Sequence, residues 1–256
     1  MRINRIQKME AYILEHENVS ISELCQHFAV SKNTVRRDLD ELLMSGKIRK
    51  VYGGVTTAKK HSEESITPDA LLSAPRTDSL KRMGQLAATL VSDNSWIFLD
   101  SGSTALEMIP FLAQKNGLTI VTHSLSVMYE AANYPSLSVF ALGGMYDEKT
   151  SSYVGMSTVG AIDSMNIDMV FVVPTAISIE HELTHITYFE AEVKRSIVSS
   201  NSKIILLADH TKFDRNSVFT FGRYSQLSTV ITDVEPSEEY LEVFRSNNID
   251  LLIARK

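Results

Sequence analysis

The chain has 256 residues, of which 44 % are hydrophobic and 22 % are charged. This length allows one large or two ordinary globular domains with a sizeable core. The single cysteine, Cys25, excludes an intramolecular disulfide and favours a reducing compartment. The sequence has no signal-peptide pattern and no apolar run near the about 20 residues that span a bilayer, so we expect a soluble, cytoplasmic protein.

The net charge of −6 conceals an asymmetry between two parts of the chain. Residues 1–60 carry 11 lysines and arginines against 7 acidic residues, whereas the remainder carries 14 against 24. A basic head on an acidic body is typical of a protein in which only the head contacts a polyanion. We therefore expect the head to bind nucleic acid.

Three helices are predicted in the head. The first covers residues 2–17 and has one apolar face. Ser20 and Glu23 form a capping-box pattern that begins a second, short helix. Ser31 is a suitable N-cap for the third helix. The third helix has an apolar stripe, formed by Val35, Leu39, Leu42 and Leu43.

The outer face of the third helix is suited to reading DNA. Arginine can bind guanine bidentately, and asparagine can bind adenine in the same way. Two short helices joined by a tight turn, the second basic and polar outside, are typical of a helix-turn-helix. The alternative is a surface helix with solvated arginines. The candidate DNA contacts on this helix are Ser31, Lys32, Asn33, Thr34, Arg36 and Arg37.

A basic β-hairpin, or wing, is predicted after the third helix. Residues 47–52 alternate charged with apolar side chains, and Gly53 and Gly54 supply a turn. Basic groups here could lie over phosphates, which adds affinity but little sequence information. The candidate DNA contacts in the wing are Lys47, Arg49, Lys50, Tyr52 and Gly53.

The remaining chain is predicted to be a linker followed by an α/β domain. Residues 59–79 are polar, lack a steady period and include Pro68 and Pro75, which favours a linker. Short apolar strands then alternate with helices, which is typical of a mainly parallel sheet. Strands are predicted at 96–100, 118–122, 137–142, 169–173, 203–208, 228–232 and 249–253, and helices near 80–91, 103–115, 124–133, 156–165, 190–201 and 237–247.

Polar loops follow the first three strands of this domain. Parallel sheets bind ligands at the carboxyl ends of their strands, and the free amides that begin a helix can hold a phosphate. The alternative for each loop is an ordinary capped turn. Together the loops favour a small anionic ligand. The candidate contacts are Asp100, Gly102, Ser103, Thr104, Thr122, His123, Ser124, Gly143 and Gly144.

The head resembles a known family. Residues 30–39, followed by 50–54, are similar to the DeoR-type winged helix of bacterial repressors. The resemblance implies a winged helix over residues 3–58, with its helix-turn-helix at 20–39. Residues 5–14 and the Ser-Lys-Asn-Thr start of the third helix especially resemble the inositol-catabolism repressors within this family.

The body resembles the effector domain of the same family. Residues 190–194 and 208–213 are similar to its motifs, as are the three loops, and they add Lys194 and Lys212 to the candidate effector contacts. The resemblance implies a C-terminal, mainly parallel α/β domain with a sugar-phosphate-isomerase-like fold. It also implies a repressor whose affinity for double-stranded operator DNA is changed by a phosphorylated sugar or related catabolite.

These observations divide the chain into three segments. We expect a winged helix-turn-helix domain at residues 1–58, a linker at 59–79 and an effector-binding and oligomerisation domain at 80–256. The protein is expected to be a homo-oligomer on a repeated or palindromic operator, since paired half-sites mirror protein symmetry.

Three departures from the family pattern concern the effector pocket. His123 stands where the family usually has asparagine, Pro174 and Ala176 where it has glycine-containing sequence, and Glu182 where it has glycine. An acid near a phosphate pocket would repel the expected ligand. Either the effector is different or the pocket is partly lost.

Three other functions are considered. His181, Glu182 and His185 match the H-E-x-x-H signature of zinc hydrolases, but this chemistry needs a helix, and the residues that follow favour a strand or loop. A sugar-phosphate isomerase-like enzyme could use the acid and base groups of Asp100, Glu190, Lys194 and Asp209. A structural DNA-binding protein would have no effector. Because a DNA-binding head favours sensing over turnover, we expect no catalytic residues, cofactor or resident metal.

Overall fold

The computed structural model describes residues 2–16, 18–43, 48–51, 54–57, 77–200 and 202–255. It divides into two compact units, residues 1–64 and 65–256, which we call the head and the body. Residues 59–76 of the predicted linker lie outside the described residues, as do Lys47, Tyr52 and Gly53 of the predicted wing.

The elements of the head follow the predicted order. They are α1 (Arg2–His16), β1 (Asn18–Ser20), α2 (Ile21–Phe28), α3 (Lys32–Leu43), β2 (Ile48–Val51) and β3 (Gly54–Thr57). The capping box that begins α2 is confirmed, because Ser20 Oγ accepts from the Glu23 amide and the Glu23 carboxylate accepts from the Ser20 amide. Ser31 caps α3, with its Oγ 3.4 Å from the Thr34 nitrogen.

The head also contains a small antiparallel sheet in the order β1-β3-β2. Its β2–β3 hairpin is the predicted wing, with Arg49 opposite Thr56 and Lys50 opposite Val55. The pairing of β1 with β3 was not predicted, since a three-residue strand is too short to show a period. Apolar side chains from α1, α2, α3, β1 and β3 form one core beneath these elements.

The body alternates strands and helices. Its strands are, in chain order, β4 (Trp96–Leu99), β5 (Thr119–Thr122), β6 (Ser138–Ala141), β7 (Met145–Asp147), β8 (Ser152–Val154), β9 (Met169–Val172), β10 (Ala176–Ser178), β11 (Glu182–His185), β12 (Lys203–Leu207), β13 (Phe219–Gly222), β14 (Thr229–Thr232) and β15 (Asp250–Ile253). Its helices are α4 (Asp78–Thr89), α5 (Ser103–Leu106), α6 (Ile109–Leu112), α7 (Leu125–Ala131), α8 (Met156–Asp163), α9 (Tyr188–Val198) and α10 (Glu238–Ser246).

Seven strands form a parallel sheet in the order β15-β14-β12-β9-β4-β5-β6. All seven predicted strands are confirmed, and their ends differ from the predictions by at most one residue. The central strands are buried on both faces, with Phe98 in the core on one side and Ile97 and Leu99 in the core on the other. The chain moves from β4 towards one edge and later returns through β9 towards the other, so the order reverses between β4 and β9.

Two parts of the body differ from the sequence predictions. The helix expected near 103–115 is divided into α5 and α6, because Pro110 in the first turn of α6 has no amide to donate to the preceding turn. The antiparallel hairpin β7–β8 and the antiparallel sheet β10-β11-β13 were not predicted. Among the described residues, no helix combines the length and hydrophobicity that a membrane crossing requires.

Candidate functional site

The candidate DNA-reading face of α3 is open to solvent. Ser31, Lys32, Asn33 and Arg37 are exposed and Thr34 is half-buried. The opposite side of the helix is buried in the core of the head through Val35, Leu39 and Leu42. This arrangement leaves amide, hydroxyl and guanidinium groups free to meet base edges. Arg36 lies within α3, and Arg49 and Lys50 lie within β2.

Asp38 has a structural role that the sequence pattern did not show. Its side chain is 1 % exposed and accepts from Arg5 Nε at 2.7 Å and from a terminal guanidinium nitrogen of Arg5 at 3.2 Å. This bidentate pair joins α1 to α3. It therefore fixes how α3 is held on the rest of the head.

The candidate effector site of the body lies where the strand order reverses. Asp100 follows β4 and Val173 follows β9, so the two residues lie on either side of the switch point. Asp100 Oδ2 accepts from the Val173 amide at 2.7 Å, and Oδ1 accepts from the Ser101 amide at 2.9 Å. Open parallel sheets bind ligands at such a point.

Four side chains form a buried ionic cluster beneath these loops. Its members are Asp100, His123, Glu190 and Lys194, each at most 1 % exposed. Lys194 Nζ donates to Asp100 Oδ2 and, at 3.0 Å, to the Val173 carbonyl, and it lies 3.8 Å from Glu190 Oε2. His123 Nε2 lies 3.3 Å from Glu190 Oε2 and 3.9 Å from Asp100 Oδ1. The cluster therefore interleaves two acids with two basic groups.

The charge of Glu190 is stabilised by its neighbours. Burial raises the pKa of Glu190, but the attraction and hydrogen bond of His123 and the charge of Lys194 outweigh this and hold the pKa well below its ordinary value. Ser152 Oγ also donates to Glu190 Oε1, and Thr150 Oγ1 lies 2.7 Å from Ser152 Oγ. The sequence did not single out Thr150 or Ser152, because β8 and α9 are far apart along the chain.

His123, one of the departures from the family pattern, is fully buried. Its ring stacks on Phe98 with centroids 5.6 Å apart, and its carbonyl accepts from the Tyr153 amide at 2.8 Å. Its Nδ1 is buried and has no hydrogen-bond partner within the part of the chain that the structure describes. The replacement of asparagine thus places an imidazole within the ionic cluster.

The other loop residues divide into two groups. Two hydroxyls are engaged within the protein. Thr122 Oγ1 donates to the Leu99 carbonyl at 2.7 Å, and Ser124 Oγ accepts from the Val127 amide at 3.3 Å. Gly102 and Ser103 remain partly accessible at the start of α5, Gly143 and Gly144 are exposed, and Lys212 is half-buried on the single turn His210–Lys212. The contacts of the structure thus join Asp100, His123 and Lys194, while the more accessible candidates lie on the surrounding loops.

The positive φ of two residues explains part of the family pattern. Gly102 has a φ of +140°, and a Cβ there would lie 3.0 Å from Val173 Cγ1. Glu182 has a φ of +54°, a left-handed conformation that glycine adopts at little cost. This backbone conformation explains why the family usually has glycine at this position. The Glu182 carboxylate accepts from the Tyr224 amide at 3.1 Å.

The zinc-hydrolase interpretation of His181, Glu182 and His185 is wrong. Residues Glu182–His185 form strand β11, so the two histidines do not share a helical face. His181 is exposed, whereas His185 is buried. Burial and the nearby charge of Lys194 lower the pKa of His185 to about 4, and its Nδ1 accepts from the Thr187 amide at 3.3 Å.

Within the described ranges of the chain, one group of side chains could hold a metal ion. Asp100, His123 and Glu190 each offer a ligand atom, and these atoms lie within 4.8 Å of one another. However, the Lys194 ammonium is bonded to Asp100 and lies beside Glu190. The two carboxylates already have a cationic partner, which disfavours a second cation between them.

Comparisons with known proteins agree over nearly the whole chain. The family model described as a DeoR-like helix-turn-helix domain matches residues 5–61, and the DeoR C terminal sensor domain matches residues 76–234. The HTH-type transcriptional regulator IolR of Bacillus subtilis is 34 % identical over 254 residues, covering 99 % of this chain and 100 % of that protein. The glycerol-3-phosphate regulon repressor of Escherichia coli is 29 % identical over 233 residues, covering 91 % of each chain.

Solved structures give a partial likeness. Ribose 5-phosphate isomerase A from Methanocaldococcus jannaschii has a TM-score of 0.38 and 18 % identity, covering 53 % of this chain and 54 % of that chain. The family models match both units, the head through its helix-turn-helix and the body through its sensor domain. The chain belongs to the DeoR family of transcriptional regulators.

Proposed function

We propose that this protein is a sequence-specific repressor of a carbohydrate-catabolism operon whose DNA affinity is controlled by a phosphorylated sugar or related catabolite. The observation that carries the proposal is the combination of two sites in one chain. The head presents the polar face of α3, and the body places a charged cluster and the Gly102 loop at the switch point of a parallel sheet.

The head is proposed to read DNA through α3 and to hold phosphates with the wing. Asn33 and Arg37 are exposed side chains of the types that recognise adenine and guanine. Arg49 and Lys50 lie on the hairpin, where basic groups add affinity without much sequence preference. We propose that the protein acts in the cytoplasm as a homo-oligomer, with two heads on paired half-sites.

The body is proposed to bind its effector on the loops around Asp100. The amides at the start of α5 and the ammonium of Lys212 suit a phosphate group. The buried ionic cluster lies below these loops and would sense the ligand through Asp100, which is bonded to both the Ser101 and the Val173 amides. One relative is named as the repressor of a glycerol-3-phosphate regulon, which links a similar chain to genes for a small phosphorylated compound.

The burial and bonding of the candidate acid and base groups favour sensing over catalysis. Asp100 and Glu190 are both fully buried, and each is bonded to a basic group of the cluster. A general base must reach the proton that it abstracts, and these carboxylates are already engaged. The two relatives that are similar over nearly the whole chain, IolR and the glycerol-3-phosphate regulon repressor, are named as regulators, which supports the same conclusion.

Operator binding by fluorescence anisotropy tests the proposal. The probe is DNA from upstream of the protein's own gene cluster, titrated at fixed salt with a panel of sugar and inositol-pathway phosphates, and the unphosphorylated compounds are the matched controls. We expect tight operator binding, and release by one phosphorylated compound that is recovered chemically unchanged. Equal affinity for unrelated DNA would contradict the repressor role, and operator binding that no compound affects would contradict effector control. Conversion of the compound would show an isomerase-like enzyme.

A further inference from the structure

A cavity of the body lies away from the candidate effector residues. It has a volume of about 420 Å³ and is formed by the C-terminal half of α9, the end of β13 and the turn Tyr224–Gln226. This volume lies within the range of small-molecule sites, roughly 300–1,000 Å³. Its polar side chains are Arg195, Thr220, Arg223, Ser225 and Gln226.

The cavity combines two guanidinium groups with neutral polar groups, and no acidic residue lines it among the described residues. Arg195 is anchored at the wall, because its Nη2 donates to the Thr220 carbonyl at 2.7 Å. Its other terminal nitrogen contacts Glu192, which lies outside the cavity lining. That ion pair is solvent-exposed, and exposed pairs are weak, so a bound anion can compete with Glu192 for the Arg195 guanidinium.

The opposite wall is also held in place. Gln226 Oε1 accepts from the Arg223 amide at 2.7 Å, and Gln226 Nε2 donates to the Val198 carbonyl at 3.3 Å. None of the ion pairs found among the described residues involves the Arg223 guanidinium. A fixed turn thus presents an arginine without an acidic partner to the same space as Arg195.

The charge of this cavity is opposite to that of the body around it. Beyond residue 60 the chain carries 24 acidic residues against 14 lysines and arginines, so a cavity whose described lining has two arginines and no acidic residue is locally unusual. The planar guanidinium fork matches the two oxygens of a carboxylate or phosphate and binds them bidentately. We infer that this cavity binds a small oxyanion, the phosphate or carboxylate group of a metabolite, at a site separate from the proposed effector loops.

The cavity and the buried ionic cluster share one wall residue. Phe221 lines the cavity, and its ring centroid lies 5.9 Å from Lys194 Nζ. Arg195 also follows Lys194 directly on α9. An anion in this cavity would therefore lie beside Phe221 and Arg195, the two lining residues next to Lys194, without contacting Asp100 or Lys212.

Arginine modification of the full-length protein tests the inference. Phenylglyoxal reacts with accessible guanidinium groups, and mass spectrometry gives the rate at each arginine in inorganic phosphate, in succinate and in chloride at equal ionic strength. We expect phosphate, succinate or both to slow modification of Arg195 and Arg223 several-fold. Arg245 is the matched control, since it is exposed and paired with Glu238 outside the cavity. Protection by one anion alone names the class of oxyanion, whereas equal rates in all three solutions would overturn the inference.

Two variants separate this cavity from the proposed effector site. In Arg223→Gln, the protection of Arg195 should fall towards the rate in chloride, because half of the guanidinium pair is lost. In Lys212→Gln, the protection of both arginines should persist, since Lys212 does not line the cavity. Loss of protection in Lys212→Gln would overturn the inference. Protection that persists while no sugar phosphate releases the operator would leave the inference standing and contradict effector control instead.

Discussion

Lys194 carries a charge into the interior of the body, and its neighbours account for this. Its ammonium contacts Asp100, lies near Glu190 and donates to the Val173 carbonyl. A buried ion is tolerated only where it is paired and hydrogen-bonded. The motif around residues 190–194 singled out Lys194 through its resemblance to the family and includes its neighbour Glu190, whereas Asp100 and Val173 follow strands β4 and β9, and their contacts with Lys194 could not be found from local spacing.

Removing the Lys194 charge should destabilise the body strongly. In Lys194→Met, a side chain of similar length leaves Asp100 and Glu190 without their shared cation, which costs about 3–5 kcal/mol for a broken buried pair. Urea unfolding followed by circular dichroism measures this loss in the body transition. Lys203→Met is the control, because Lys203 is exposed at the start of β12. An equally small effect of both substitutions would contradict a stabilising role for the cluster.

The neutral state of His185 makes stability depend on pH. Its pKa falls from 6.5 to about 4 on folding, so the unfolded chain takes up a proton first as the pH decreases. The contribution of His185 to the free energy of unfolding is therefore fully present above pH 6.5 and is lost as the pH falls towards 4. Between pH 7 and pH 5 the loss is roughly 2 kcal/mol. His185→Asn retains an acceptor for the Thr187 amide but does not titrate.

Urea unfolding at pH 7 and pH 5 compares this variant with the wild type. We expect His185→Asn to lose less stability over the interval than the wild type, whatever its stability at pH 7. His181→Asn, at the exposed histidine of the same segment, should retain the wild-type dependence. If His185→Asn and the wild type had the same pH dependence, burial of a neutral His185 would not be its cause.

At the scale of single elements, agreement between sequence and structure depends on how local the signal is. The N-caps Ser20 and Ser31 and the stripe Val35, Leu39 and Leu42 lie within a few residues of the helices that they specify, and both helices were predicted. The seven strands of the parallel sheet were predicted because both of their faces are apolar. By contrast, β7, β8, β10, β11 and β13, which form two smaller antiparallel sheets outside the parallel one, were not predicted.

The exposed face of α3 gives a prediction about operator choice. Because Arg37 points away from the core of the head, Arg37→Ala should remove one base contact without unfolding the helix. We expect a loss of about 1–3 kcal/mol in binding to the operator and little change in binding to unrelated DNA. Anisotropy titrations with both DNAs measure this difference. The control is Gln26→Ala, at an exposed residue of α2, which should leave operator preference unchanged. Glu23 is unsuitable as a control because its carboxylate caps α2.

An unchanged operator preference in Arg37→Ala would place a different part of the head in the groove. The bidentate pair between Arg5 and Asp38 makes α3 and α1 one rigid unit, so a shift of the helix alone would not explain such a result. Local spacing does not reveal this pair, since the two residues lie on different helices, 33 positions apart. Recognition would then have to depend on the wing or on the shape of the DNA.

For the whole molecule, the division of charge determines how DNA is approached. The head has an excess of basic residues and the body an excess of acidic ones, so the field of the body repels DNA while the head attracts it. This division was visible in the sequence, because the net charge of a segment depends only on its amino-acid composition. The separation of the proposed effector loops from the cavity around Arg195 and Arg223 was not visible, since each is built from residues that folding brings together from separate parts of the chain.

This division predicts that salt sensitivity resides in the head alone. Each phosphate contact releases condensed counterions, so Lys50→Ala should weaken binding to operator and unrelated DNA by the same factor and reduce the slope of log affinity against log salt by about 1 per head. Lys81→Ala, at an exposed lysine of α4 in the body, should change neither the affinity nor the slope. Anisotropy titrations of the full chain over a range of salt concentrations measure both. An effect of Lys81→Ala as large as that of Lys50→Ala would mean that the body also contacts DNA, and the acidic body would then have to carry a basic surface towards the duplex.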